Sequence, residues 1–441
     1  MDSSRYIWID EFICKIRPYV FVRTEDNVLI KKPNVAQKLN STGANILKEL
    51  ISGISIENLI KNHKLDDKKI SEVICFINAV KATLEGKIDI STCNPAVNKK
   101  PFTAPFSDLP VLSELAVTSA CNLKCSFCYA GIGCKSSVKV KDLSKSELIK
   151  ILDKIRFEAK VPSVSFTGGE PMLRSEIFEL IVYAKSIGMR TNLISNGTLI
   201  DIVNAERLSK AGLDTAQISI EAVTPELHDM ICGADGSFVK AVNALKLLKE
   251  NGIHVHGNTT LSIQNRDIAK LFPSFYKKNG LERFSMNLVI PVGSAATESG
   301  IGLSYTEASV IIKEVQNASK AENIEFMWYS PVPLYIYNTI TEGLGNKGCA
   351  ACDGLLSVDS QGNILPCSSW NEPVGNLLSH DFTEIWNSER AIHIRNKREA
   401  PEECKGCDNF AVCQGACPLF WNVMPKDELI ESCKRNINER L

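Results

Sequence analysis

Cys121, Cys125 and Cys128 supply three thiols within eight residues, spaced Cx3Cx2C. A [4Fe–4S] cubane has four iron corners, so three thiolates leave one iron free to bind substrate or cofactor. A second set lies near the C-terminus. Cys349 and Cys352 precede Gly362-x4-Cys367, and Cys404-x2-Cys407-x5-Cys413-x3-Cys417 with a distant Cys433 brings that set to eight. Eight thiolates satisfy two cubanes fully, with zinc as the chemical alternative because tetrahedral sulfur sites suit both metals. Gly362-Asn363 lies between the β-prone runs Leu355–Val358 and Ile364–Pro366 and reads as a hairpin turn that returns Cys367 beside Cys349.

The elements that must hold these thiols alternate. Strands are predicted over 112–118, 162–166, 190–194, 215–220, 253–260 and 283–289, and helices over 144–156, 175–186, 202–210, 237–250 and 267–278. Such alternation calls for parallel strands with helical crossovers. Phe166-Thr167-Gly168-Gly169-Glu170-Pro171 follows the second of these strands, and its two glycines let the backbone approach a ligand closely. Ser219 and Glu221, two apart, share one face of a strand. Cys134, six residues beyond Cys128, is a loop thiol, and His254 and His256 without a third polar ligand do not establish a metal site.

Residues 1–100 read differently. Arg17–Val22, Val28–Ile30 and Val35–Leu39 are short β-prone runs, the first two separated by the turn-like Thr24-Glu25-Asp26-Asn27. Asn40 or Ser41 caps a helix bearing Ile46, Leu47 and Leu50. A short helix follows over 54–60, and a third over Asp67–Leu84 carries the stripe Ile70, Val73, Ile74, Ile77 and Val80. Three strands followed by three helices describe a small winged-helix-like domain. Cys14 and Cys75 stand alone in apolar contexts and are expected to be buried. Thr92–Pro110, with four prolines, is an extended connector.

The chain has 441 residues, a formal charge of −1 and 44% hydrophobic residues, which suits a soluble protein of two or three domains without the basic excess of a nucleic-acid binder. No apolar stretch approaches the roughly 20 residues of a membrane span. The first thirty residues lack the pattern of a signal peptide. Sixteen cysteines at metal-ligand spacings, without an export signal, point to a reducing cytoplasm.

The Cx3Cx2C loop, followed by the aromatic Tyr129 and one βα unit later by Gly-Gly-Glu-Pro, resembles the cluster and cofactor motifs of the radical S-adenosylmethionine (radical SAM) superfamily. The resemblance runs from about Val111 to the C-terminus. It implies a partial (β/α)6 barrel, with chemistry at the carboxyl ends of the strands. It also implies a cluster on Cys121, Cys125 and Cys128 whose unique iron binds the amino and carboxylate groups of S-adenosylmethionine, splitting it to methionine and a hydrogen-abstracting 5′-deoxyadenosyl radical. Gly168, Gly169, Glu170 and Pro171 match the motif for the SAM amino group. Ser195 and Asn196 match residues near the ribose, and Ser219 one that reaches the SAM carboxylate. Asn258 and Val289, with Pro291-Val292-Gly293 just beyond, match the adenosine pocket. Two departures stand out. Relatives carry an Asp where this chain has Glu221, a cavity-facing candidate for either catalysis or ribose binding. They carry an Arg where it has Cys232, which either replaces it structurally or takes part as a hydrogen donor or crosslink acceptor.

The C-terminal cysteines resemble the SPASM domain. By that resemblance Cys349, Cys352, Cys367 and Cys417 hold an inner auxiliary [4Fe–4S] cluster, and Cys404, Cys407, Cys413 and Cys433 an outer one, making three clusters in all. Phe410, Phe420 and Trp421 pack around them. The N-terminal order and Lys38-Leu39-Asn40-Ser41-Thr42-Gly43-Ala44 resemble PqqD-like peptide-recognition domains, in which a leader peptide adds a strand to an exposed sheet edge. Residues 1–100 hold 16 Lys or Arg against 12 Asp or Glu, a surplus that suits an acidic leader. A domain that only packs, or one that binds DNA, are the alternatives. The expected organisation is a PqqD-like domain over 1–92, a linker over 93–110, the barrel over 111–305, a bridging region over 306–348 and the SPASM domain over 349–441.

Together these resemblances imply a cytoplasmic maturase of a ribosomal precursor peptide, fed electrons by flavodoxin or ferredoxin, without nucleic-acid or membrane partners. Cysteine-to-α-carbon thioether formation is the first expectation. Carbon–carbon or other side-chain crosslinking, formylglycine formation of the anaerobic sulfatase type, maturation of a dehydrogenase subunit, modification of a small metabolite, or a non-catalytic electron-transfer or scaffold role are the others.

Overall fold

The computed structural model describes residues 5–32, 35–84, 107–131, 141–296, 300–404, 406–407 and 409–429. The connector over 93–106, Cys134 and Cys433 lie outside these residues. The chain divides into two compact units, 1–102 with 107–112, and 103–106 with 113–441.

The first unit begins with a helix that the hydropathy pattern did not separate from its surroundings, α1 (Trp8–Ile16), burying Ile9 and Ile13. Strands β1 (Val20–Arg23), β2 (Val28–Lys31) and β3 (Val35–Lys38) form an antiparallel sheet in the order β1-β2-β3. Arg17–Tyr19, expected to open the first strand, form a 3-10 turn instead, because Pro18 sits at the N-terminal position where a missing N–H costs nothing. Helices α2 (Ser41–Ser52), α3 (Ile56–Asn62) and α4 (Asp67–Leu84) follow. Asn40 caps α2 by accepting from Gly43 N at 2.7 Å, and Gly53, at φ 110°, ends it. The core joins α1 to the helices through Ile9, Ile13, Leu47, Leu50, Leu59 and Ile77, all at most 2% exposed. Cys14 and Cys75 are exposed, contrary to expectation. The inward face of α4 is filled by Ile70, Val73, Phe76, Ile77 and Val80, which leaves Cys75 on the outward one.

Arg23 and Asp26 form a buried ion pair at 2.7 Å. The guanidinium also donates to the carbonyls of Leu109 and Pro110, and Asp26 accepts from Asp108 N, so residues 108–110 are fastened to the β1–β2 turn.

The second unit starts with β4 (Leu112–Ala116) and α5 (Lys145–Asp153), then alternates: β5 (Ser163–Thr167), α6 (Ile177–Ser186), β6 (Arg190–Ser195), α7 (Ile202–Lys210) and β7 (Thr215–Ser219). After β7 come α8 (Pro225–Cys232), α9 (Ser237–Glu250), β8 (His254–Leu261), α10 (Phe272–Lys278), β9 (Arg283–Leu288), α11 (Tyr305–Ala321) and β10 (Glu325–Trp328). Strands β4 to β9 pair in sequence order, and every registered pair among them is parallel, which is the partial (β/α) barrel expected. Strand β10 adds a seventh parallel strand beyond β9. Every second residue of β6 is buried, as a sheet with helices on one face requires.

The C-terminal hairpin, β11 (Leu355–Val358) and β12 (Asn363–Leu365), then β13 (Gly375–Asn376), continues the same sheet beyond β4. The side chain of Ser357 donates to Glu114 of β4 at 2.6 Å. Helices α12 (Phe382–Trp386), α13 (Glu389–Arg395), α14 (Phe410–Cys413) and α15 (Pro418–Trp421) complete the described chain. Phe420 and Trp421 pack on Tyr305 of α11, with ring centroids 4.0 and 5.1 Å away. Among the described residues no helix is long and apolar enough to cross a membrane.

Candidate active site

The loop bearing Cys121, Cys125 and Cys128 follows β4 and is tied down on two sides. On one side it is laced to the Gly-Gly-Glu-Pro turn after β5: Val117 N donates to Thr167 O, Gly169 N to Thr118 O and Glu170 N to Ala120 O, at 2.8–2.9 Å. This lacing explains the glycines. A Cβ on Gly168, at φ +139°, would lie 2.3 Å from Thr118 O, and one on Gly169 would lie 2.1 Å from Ala120 O and 3.0 Å from Cys121 Cβ. On the other side, Lys124 N and Ser126 N donate to the last carbonyls of α8, Cys232 O and Ile231 O, both at 3.0 Å. A helix end leaves such carbonyls unsatisfied, and here the thiol loop supplies their partners. Gly293 backs onto the loop as well, its φ of +59° and the 2.3 Å from its would-be Cβ to Tyr129 O leaving no room for a side chain.

Glu170 is fully buried and accepts from Ser195 Oγ at 2.8 Å, Asn196 N at 2.8 Å and Met172 N at 3.0 Å. Burial raises its carboxyl from 4.5 to about 7 against the lowering pull of these three hydrogen bonds. Asn196 passes the connection onward, donating to Asn122 Oδ1 at 3.0 Å and reaching Cys121 Sγ at 4.0 Å. Glu170 thus ties the loop after β5 to the loop after β6. Pro171, buried, starts the 3-10 turn that follows. Ser219, the last residue of β7, is the register partner of Asn258 within β8, and the Asn258 amide bridges Asn287 and Ser285. Val289 packs with Ala295, Ile301 and Phe127 of the thiol loop.

Glu221 was expected to face an open cavity. Instead it is 2% exposed, accepts from Thr260 N at 2.8 Å, and is pushed well above the usual carboxylate range by burial. Cys232 is 3% exposed, which removes it from direct contact with a bulky substrate. Of the two histidines on β8, His254 is exposed and His256 is engaged with Gln217 at 3.1 Å. Two residues that anchor the site carry no motif signal. Asp142 accepts from Ser119 N at 2.8 Å, and Gln264 accepts from Ser126 Oγ at 2.8 Å, contacts made 23 and 138 positions away in sequence.

The C-terminal thiols fall into two neighbourhoods. Cys349 and Cys417 each raise the Cys367 thiol by their charge, after burial, so these three share one field. Cys352 is fully buried at φ 48°, pushed up to about 12 by burial, with Arg395 and Lys397 and then Cys349 as its charged neighbours. Cys413 lies near Cys407, and Gly415 would place a Cβ 3.3 Å from Cys404 Sγ. Gln414, Gly415 and Ala416 are all left-handed, at φ 59°, 74° and 61°, so the chain turns sharply between Cys413 and Cys417.

Sulfur-ligated clusters fit this donor set. Backbone N–H groups point at thiols in both regions: Leu123 at Cys121, Ser369 at Cys367, Leu419 and Phe420 at Cys417, and Leu334, Gly415 and Ala416 at Cys413. Such donors stabilise a thiolate rather than a thiol. The cations Arg395 and Lys397, 8% and 6% exposed, add positive charge beside the inner group. Among the described residues no three Cys, His, Asp or Glu side chains converge on a single metal ion. A cubane spans a wider gap than one ion, so its ligands stand further apart.

Residues 115–270 match the radical SAM superfamily and residues 349–408 match SPASM, the iron–sulfur cluster-binding domain. An AdoMet-dependent heme synthase of Oleidesulfovibrio alaskensis is 29% identical, over 68% of this chain and 80% of its own. A PqqA peptide cyclase of Granulibacter bethesdensis is 26% identical, over 70% and 81%. The crystal structure of Streptococcus suis SuiB bound to precursor peptide SuiA superposes with a TM-score of 0.68 at 20% identity, covering 91% of this chain and 94% of that one.

Proposed function

The chain is a radical SAM enzyme with a C-terminal SPASM domain, and on that premise we propose that it matures a ribosomally made precursor peptide by joining a cysteine sulfur to an α-carbon. The observation that carries the reading is the extent of the likeness to SuiB. A match over 91% of the chain reaches into the first unit as well as the barrel and SPASM region. That unit offers an edge strand: β3 pairs only with β2 among the described residues, and Val35 on it is 55% exposed. An extended leader added there gains main-chain hydrogen bonds on the open side of β3.

Cys121, Cys125 and Cys128 hold one [4Fe–4S] cluster in this reading. Cys349, Cys352, Cys367 and Cys417 hold the second, and Cys404, Cys407, Cys413 and Cys433 the third. The first cluster with S-adenosylmethionine supplies a radical able to abstract an unactivated hydrogen. Gly168 and Gly169 bring backbone close to the amino group of the cofactor. Ser219, at the end of β7, and its register partner Asn258 on β8 serve its carboxylate and adenosine, and Val289 supports that side through Phe127. Glu170, Ser195 and Asn196 hold the two loops in register. Glu221 and Cys232, both buried, position neighbouring groups and do not touch the peptide. Thioether formation removes the thiol proton, the α-hydrogen and one further electron, and the inner C-terminal thiols hold the centre suited to accept that electron. A small reductant of the flavodoxin or ferredoxin class supplies the electron that starts the reaction, in the cytoplasm.

Coexpression with the short peptide encoded beside this gene tests the reading. Mass spectrometry is expected to show a loss of two hydrogens per bond together with loss of a free thiol, and a modified peptide that keeps its thiol would sink the thioether assignment. Val35→Asp, at an exposed position, is expected to weaken peptide binding about tenfold, or 1.4 kcal/mol, while SAM cleavage without peptide is unchanged. The likeness to heme synthases favours a second reading, a tetrapyrrole substrate. Tight binding of an iron porphyrin, with no affinity for the peptide, would select it.

A further inference from the structure

The face of the barrel sheet turned away from the helices carries polar side chains that the proposed reaction does not use. Helices α6 and α9 pack on β6 and β7 over the face that buries Leu193, Ala216 and Ile218 completely. On the opposite face Asn192 Nδ2 donates to Ser165 Oγ at 3.1 Å, Thr215 Oγ1 donates to Asn192 Oδ1 at 2.8 Å, and Gln217 meets His256 at 3.1 Å. The interior of a closed barrel is filled by branched apolar residues. Here, beside Ile194, amides, hydroxyls and an imidazole take that place. Asn192, Thr215, Gln217 and His256 are all half-buried, so the face is open to solvent. His254, two residues before His256 on the same face, is exposed and marks the open end.

Gln217 and His256 have hydrogen-bonding capacity to spare. Gln217 Oε1 only accepts, so His256 donates from Nε2 and its neutral ring keeps a lone pair on Nδ1. Burial, and then the charge of Arg283, push the imidazole down to about 4, which keeps it neutral. Among the described residues neither His256 Nδ1 nor Gln217 Nε2 has a hydrogen-bond partner. Turning the amide over with the other imidazole tautomer exchanges donor and acceptor and leaves one of each. One free donor beside one free acceptor is the complement of an amide. Both residues lie two positions before Ser219 and Asn258 on the same face of their strands, about 7 Å along the chain.

We propose that Gln217 and His256 recognise a main-chain amide in the core segment of the peptide and seat it one layer along the strands from Ser219 and Asn258. The pair takes this part only if the substrate is the precursor peptide proposed above. A peptide offers an amide at every residue. A tetrapyrrole offers carboxylates, which the free acceptor of the pair repels.

An amide-to-ester scan tests the assignment. Precursor peptides whose synthetic core, joined to the natural leader, carries one main-chain ester at a time lose one N–H and weaken one carbonyl. With the reconstituted holoenzyme, one core position is expected to lower kcat/KM for crosslinking about tenfold, the worth of one or two neutral hydrogen bonds. In Gln217→Met, which keeps the length and loses the polar atoms, the same ester is expected to cost less than about twofold, because its partner is already gone. With the all-amide peptide this variant should release more 5′-deoxyadenosine per crosslink than the wild type, since a poorly seated peptide wastes cofactor cleavage. A general structural defect would lower both together. His256→Phe should behave as Gln217→Met does, and His256→Gln, which keeps a donor and an acceptor, as the wild type does. A scan in which no ester costs more than about twofold overturns the proposal, as does an ester whose cost is equal in the wild type and both apolar variants. Should one apolar variant fail to fold, the other decides. Should both fail, the wild-type scan decides: one costly position supports the proposal, and none overturns it. A wild type that crosslinks no all-amide peptide defeats the peptide reading itself, and this site with it.

Discussion

Glu170, just beyond β5, accepts a hydrogen bond from the backbone N–H of Asn196, just beyond β6, at 2.8 Å, and the same Asn196 reaches back to the thiol loop through Asn122. One buried carboxyl therefore sets the spacing of three strand-end loops.

Its titration gives a pH signature. The folded chain holds the Glu170 proton up to about pH 7, whereas an ordinary carboxyl releases it near 4.5. The stability contribution is complete below 4.5 and is lost as pH rises through about 7, since the folded state binds the extra proton in that window. The loss is on the order of 3 kcal/mol. Thermal melts across this range should show the decline in the wild type, and Glu170→Gln should flatten it. An equally steep decline in the variant would assign the effect elsewhere.

Arg23 makes a prediction for the first unit. Its guanidinium, with Asp26 and the carbonyls of Leu109 and Pro110, is buried with every contact made inside that unit. Arg23→Ala leaves Asp26 charged and unpaired, which costs about 3–5 kcal/mol. Chemical denaturation should show a lower midpoint for this unit, with iron content unaffected. Removing both partners, as Arg23→Met with Asp26→Leu, is expected to recover much of the loss.

Gly169→Ala tests the lacing of the two loops. The added methyl would meet the Ala120 carbonyl at 2.1 Å, and rigid backbone cannot give way cheaply. Destabilisation of about 1–3 kcal/mol is expected, with loss of the SAM-responsive cluster signal while the C-terminal iron is retained. Full iron content in the variant would show that the loops can separate without consequence.

For the outer C-terminal group, Gly415→Val should be more damaging than Gly406→Val. Gly415 is left-handed at φ 74° and would place its Cβ 3.3 Å from Cys404 Sγ, whereas nothing lies within 4 Å of a Cβ on Gly406. Iron and sulfide analysis should find one cluster missing in the first variant and a full complement in the second.

The thiol spacings, the Gly-Gly turn and the alternation of strand and helix are legible along the chain alone. These are local: a cluster loop needs its ligands within a few residues, a tight approach needs glycine, and periodicity of burial is written along each element. The helices 202–210 and 237–250 follow the expected boundaries for that reason. Helix α1 did not stand out, because a nine-residue helix is too short for its periodicity to be told from the strand that follows. Cys14 and Cys75 are exposed despite their apolar neighbours, because an apolar neighbourhood in sequence does not say which side of a helix a residue takes. It took the three-dimensional packing to show that Glu221 is buried, that the C-terminal hairpin extends the barrel's sheet at β4, and that the end of α8 holds the thiol loop through Cys232 O and Lys124 N. Each depends on which distant segments meet, Cys232 with Lys124 and Ser357 with Glu114. Such pairings are fixed by packing of the whole sheet and its helices, and no local pattern records them.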